Sequence, residues 1–201
     1  MKRKIKYFVL AAVILCSCSY PPPAGVIEVP VSRDQYQPLL DQSKYAEYKG
    51  QKMIFDSIDI AAPDVTNFYY LSEDKTIGYT LFYKSDGIQQ PVVSFFWYAM
   101  QKVFQDVGID VREELVIKNV PKLDLKIMSL TDQDAKFILT LSRNGILLVL
   151  KEINVSQKLP PTKDIPELKK RSYMFIDRIA EAILSDPDFK REFFSDKGKI
   201  S

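Results

Sequence analysis

Residues 135–155 read AKFILTLSRNGILLVLKEINV. Two apolar, β-prone runs, 135–142 and 146–155, flank Arg143-Asn144-Gly145. Asn-Gly supplies the positive φ angles of a type I′ turn, so the stretch predicts a β-hairpin. Just upstream, Leu123, Leu125 and Ile127 alternate with Lys122, Asp124 and Lys126. That alternation describes a strand with one face buried and the other wet. The fold must therefore contain a sheet with antiparallel pairing.

Working outward, residues 90–107 carry a helical period. Phe96, Ala99, Met100, Val103 and Val107 recur at three and four residues, with Trp97 and Phe104 widening the stripe. Pro91 stands at the start and Gly108 at the stop. A second helix is predicted over 165–185, with Pro166 near its start and Asp186-Pro187 ending it. Its stripe is Leu168, Phe175, Ile176, Ile179, Ala182 and Ile183. Residues 188–194 add one or two amphipathic turns docked by Phe189 and Phe193. Residues 53–60, 66–72 and 77–83 read as strands or β-prone patches, as do 109–111 and 115–120. The order predicts an α+β fold: a single antiparallel or mixed sheet with two main helices packed on one face.

The first residues sort differently. Lys2, Arg3, Lys4 and Lys6 precede the apolar run 7–15, which is followed by Leu15-Cys16-Ser17-Cys18. A cationic start, a short apolar run and a small residue at the cut describe a secretory signal peptide. A membrane-spanning helix would need about 20 apolar residues. The junction resembles the lipobox of bacterial lipoproteins. That resemblance implies cleavage between Ser17 and Cys18, and diacylglycerol on the Cys18 thiol. Ser19, rather than Asp, points to the outer membrane over the inner, with the folded part in the periplasm. The expected organisation is a leader over 1–17, lipidated Cys18 with a Pro-rich tether over 18–50, an α+β domain over 51–195 and a frayed tail over 196–201. The tyrosines of the tether (Tyr36, Tyr45, Tyr48) could pack on the domain or on a partner.

Removal of the leader changes the chemistry available. The formal charge of +2 becomes −2, because four basic residues leave and no acidic ones do. A nucleic-acid partner loses its electrostatic motive. One cysteine and no histidine remain, and that cysteine is the lipidated one. Thiol catalysis, a Ser-His-Asp triad and Cys/His zinc sites are excluded by inventory. Asp56 and Asp59 lie three apart on a strand, so they point to opposite faces. Glu113-Glu114 and Asp132/Asp134 read as turn charges. No cofactor, metal or enzymatic activity is expected.

The order of elements behind the lipobox resembles small periplasmic lipoproteins that assist envelope transport. These are the auxiliary lipoproteins of ABC-type lipid transporters (PqiC-like) and the lipopolysaccharide-assembly lipoprotein LptE. The resemblance covers roughly 53–185. It rests on helix 91–107 leading through Gly108 into Ile109-Asp110-Val111, on the strand pair 135–155 and on the closing amphipathic helix. It implies an anticodon-binding-like α/β sandwich and an accessory or assembly role in an envelope transport or secretion complex. The alternative is a carrier of a lipid or other hydrophobic ligand, held in a cleft between helices and sheet. Phe95-Phe96-Trp97-Tyr98 supplies the candidate contacts, since four consecutive aromatics on a helix cannot all face one core. Phe95, Trp97, Tyr98 and Phe104 are the candidate partner or ligand residues. The competing reading is that the helix lies between the sheet and the N-terminal tether, which covers its second side.

Overall fold

A computed structural model describes residues 26–61, 69–71, 78–85, 87–112, 118–130 and 133–195. Ser17, Cys18, the tail 196–201 and the turn residues Glu113, Glu114 and Asp132 lie outside them. The strands are β1 (Ile27–Val31), β2 (Lys52–Ile60), β3 (Tyr69–Leu71), β4 (Gly78–Ser85), β5 (Ile88–Gln90), β6 (Asp110–Arg112), β7 (Lys122–Leu130), β8 (Asp134–Arg143) and β9 (Ile146–Ser156). The helices are α1 (Val92–Asp106), α2 (Ile165–Ser185) and α3 (Pro187–Phe194), with a 3-10 stretch at Gln42–Tyr48.

The α+β reading holds, but the strands divide between two sheets. The larger runs β6-β2-β7-β8-β9 and is mixed: β2 is parallel to β6 and β7, and the rest is antiparallel. The smaller runs β1-β4-β3, with β5 also on β4. The hairpin forms as its turn demands, Asn144 and Gly145 taking φ of 53° and 78°. On β7, Leu123, Leu125 and Ile127 are buried and Lys126 is exposed, matching the alternation.

Helix α1 lies between the sheets. Phe96 and Met100 face the larger one, against Ile58, Leu125 and Phe137. Phe95 faces the smaller one, 5.7 Å from the ring of Tyr83. The helix stops in a Schellman motif: Ile109 N–H donates to Phe104 O and Gly108 N–H to Gln105 O. Gly108 sits at φ 90°, and a Cβ there would meet the Lys49 backbone at 3.2 Å. Only glycine suits that position.

The expected tether over 18–50 is shortened at its C-terminal end. Residues from Ile27 onward belong to the domain. β1 pairs with β4, and because β1 is an edge strand it tolerates Pro30, which has no N–H to give. The three tyrosines are buried and latch this segment to α2. Tyr36 Oη donates to Asp177 Oδ1 at 2.5 Å and Tyr48 Oη to Leu184 O at 2.9 Å, while Tyr45 Oη lies 3.3 Å from Ser185 Oγ. Tyr173 Oη donates to Ser32 O at 3.2 Å.

Asp177 makes this latch sensitive to pH. Burial is the largest influence on its carboxyl and raises it above the ordinary range; hydrogen bonds from Tyr36 and the Leu39 backbone only partly offset that. The folded state therefore holds the proton more tightly than the unfolded chain. The resulting stability is fully present below the unfolded carboxyl pKa and is lost as pH rises through the folded one. Asp177→Asn keeps an acceptor for Tyr36 and removes the buried charge. It is expected to flatten this part of the stability–pH curve in denaturant titrations. Asp177→Ala strands the Tyr36 hydroxyl and is expected to cost about 1–3 kcal/mol.

Arg143, the residue before the hairpin turn, reaches under the end of α3. Its Nη2 donates to Phe193 O at 2.7 Å and Glu192 O at 3.3 Å, and its Nη1 bonds Ser195 O. These are carbonyls a helix C-terminus leaves open. Arg143→Ala is expected to cost about 1–3 kcal/mol and to raise hydrogen exchange over α3 first.

Candidate functional site

The four aromatic candidates do not form one site. Phe95 and Phe104 are both 0% exposed. Phe95 packs on Tyr83 and Tyr173, and Phe104 meets Phe55 edge-on at 5.5 Å. The second sheet covers the side of α1 that a single-sheet fold would have left open. It buries Phe95, while Phe104 is core against β2 of the larger sheet.

Trp97 and Tyr98 are placed together at the rim. Trp97 stacks on Phe55 with centroids 6.3 Å apart and planes 13° from parallel. Tyr98 meets Trp97 edge-on at 5.0 Å, is 37% exposed and lies under the Arg33 guanidinium at 4.9 Å. Arg33 comes from the segment read as tether, and no local motif announces its place here. The two aromatics line an open groove of about 280 Å³ with Val93 and Ser94 of α1 and Asp56, Ser57 and Ile58 of β2. A β-bulge between Phe55 and Ser57 shifts the register at this point. Bulges often re-aim side chains in this way. β6 pairs only with Lys52–Ile54, so beyond Ile54 this edge of β2 has no strand partner among the described residues.

Polar groups border the groove. Ser57 Oγ donates to Asp124 Oδ1 at 2.9 Å. Lys122 pairs with Asp56 and lies 3.9 Å from Asp124. Burial raises the Asp124 carboxyl, and the neighbouring Asp56 adds to the rise. The hydrogen bond to Asp56 raises the Lys122 ammonium. Among the described residues no group of three or more His, Cys, Asp or Glu side chains is placed to hold a metal ion.

The space between helices and the larger sheet is filled. The apolar void beside Phe96, Met100 and Ile179 measures about 10 Å³. That is about one probe sphere, the least that holds a water.

No family model matches the sequence, and no curated protein matches it. Solved structures are similar to it, among them the following two. One is a Xanthomonas campestris protein of the DUF330 family, at 10% identity over 79% of this chain and 93% of its own, with a TM-score of 0.49. The other is an uncharacterised protein, at 10% identity over 77% of this chain and 97% of its own, with a TM-score of 0.42.

Proposed function

We propose that the protein is a periplasmic lipoprotein, anchored through Cys18, that docks a protein of an envelope transport complex without catalysing a reaction. The observation that carries this reading is the groove at Trp97 and Tyr98. It joins an aromatic wall to a stretch of the β2 edge that has no strand partner among the described residues, a combination suited to an extended peptide segment. Trp and Tyr are also enriched where proteins meet. The finer assignment, an auxiliary of an ABC-type lipid transporter or an LptE-like assembly factor, rests on the order of elements behind the lipobox. The outer membrane is the proposed site of anchoring, from Ser19.

The lipid-carrier alternative needed a deep pocket lined by Phe95, Trp97 and Phe104. Two of those side chains are core, and the void beneath the helices is far smaller than an acyl chain.

The short tether bears on the partner's place. Eight residues separate Cys18 from Ile27, a reach of about 30 Å over nine fully extended steps. A domain on that lead stays beside the bilayer, so its partner is a membrane component or one held close to it. Affinity purification from gently solubilised membranes tests the reading. A partner recovered with the wild-type protein, and lost in the Trp97→Ala/Tyr98→Ala variant, is the expected result. Recovery of the monomer alone contradicts it.

A further inference from the structure

A second cleft, of about 380 Å³, opens at the N-terminal end of β2, beside the start of β7, the β8–β9 turn and the end of α3. Its volume lies within the range of small-molecule sites. Its described lining includes Lys52 and Arg143 and no carboxylate. Lys52 is exposed and has no ion-pair partner among the described residues. Arg143 is 8% exposed, and its hydrogen bonds go to backbone carbonyls rather than to an acid. Its charge is therefore solvated by neutral dipoles and not cancelled by a carboxylate in direct contact. Lys49 and Lys118, both exposed, adjoin the lining residues Gly50 and Asn119. Phe193 and Phe194 form an apolar wall. Two cations line the cleft, and two more flank its lining residues in sequence, on a chain whose mature charge is −2.

We infer that this cleft binds a phosphate group, carried by a small phosphate ester or by the headgroup of an anionic phospholipid. Lysine is a point-charge binder of phosphate, and a multiply charged oxyanion matches a cleft lined by two cations and no described carboxylate better than a single carboxylate does. The phenylalanine wall suits the less polar part of such a ligand.

The test uses the full mature protein in a non-ionic detergent. Glycerol 3-phosphate is titrated calorimetrically, and the reconstituted protein is mixed with phosphatidylcholine vesicles with or without phosphatidic acid. Lys52→Glu is compared with Lys126→Glu, which places the same charge change on the exposed face of β7. Both variants are checked for unchanged circular dichroism. The expected result is saturable binding of at least one probe, weakened about tenfold or more by Lys52→Glu and little changed by Lys126→Glu. Binding of glycerol 3-phosphate assigns a small ester; binding only to vesicles containing phosphatidic acid assigns a headgroup. No saturable binding of either probe at millimolar concentration overturns the inference. Equal weakening by the two variants also overturns it, because that is the behaviour of unspecific attraction. The aromatic groove contributes to neither readout, so failure here leaves the docking proposal standing.

Discussion

Cys18→Ala is expected to abolish acyl labelling of the protein altogether and to leave the 17-residue leader uncut. The effect is all or none because Cys16, the other cysteine that an uncut leader retains, has bulky Leu15 before it and does not fit the lipobox. Acyl chains contribute about 0.8 kcal/mol per buried methylene, so an anchor of two or more chains is hard to reverse and its loss is not graded. No described helix is long and apolar enough to cross a membrane. Labelled palmitate and intact mass together make the measurement. Label that persists in Cys18→Ala would overturn the anchor.

The second large effect divides the aromatic run. Phe95→Ala is expected to destabilise the domain by about 3–5 kcal/mol, the usual cost of emptying a phenylalanine site in a packed core. Against a total stability of about 5–15 kcal/mol, that leaves the variant partly unfolded or close to it. Tyr98→Ala, three residues further along α1, removes an exposed ring held by Arg33 and Trp97. Its expected cost is below about 1 kcal/mol. Urea denaturation of the two variants checks the pair. Similar losses in both would mean that Tyr98 is structural, and would remove the reason for treating it as a contact residue.

Local chemistry made some elements legible and tertiary packing hid others. Asn144-Gly145 has few alternatives to a tight hairpin turn, and Lys122 to Ile127 alternate because only one face of β7 is covered. The second helix follows its stripe from Ile165 to Ser185, as the sequence predicts. The segment from Ile27 to Gly50 was not legible. Its prolines and lack of period resemble a linker, and its place in the domain depends on partners about 140 residues away, as with Tyr36 and Asp177. The second sheet was hidden for the same reason: β1 pairs with β4, some fifty residues on, and nothing local announces the pairing.

The candidate site was half legible. Four consecutive aromatics showed that α1 must be contacted on more than one side. They did not show that a sheet supplies the second side, which turns Phe95 into core, nor that Phe104 packs on β2 while Trp97 and Tyr98 stay at the rim. Arg33, the bulge at Asp56 and the β2 edge left without a strand partner among the described residues complete the groove, and each depends on chain topology rather than on a motif. Arg143 was visible only as a residue beside a turn. Its burial beneath α3 follows from the way that helix packs on β8 and β9.

The docking claim is tested most directly in living cells. A photo-reactive benzoylphenylalanine is placed at position 98 in the groove, or at position 152 on the exposed face of β9 as a comparison. Irradiation is expected to give one discrete adduct with an envelope protein from position 98 and none from position 152. No adduct from position 98, or the same adducts from both positions, would contradict the account.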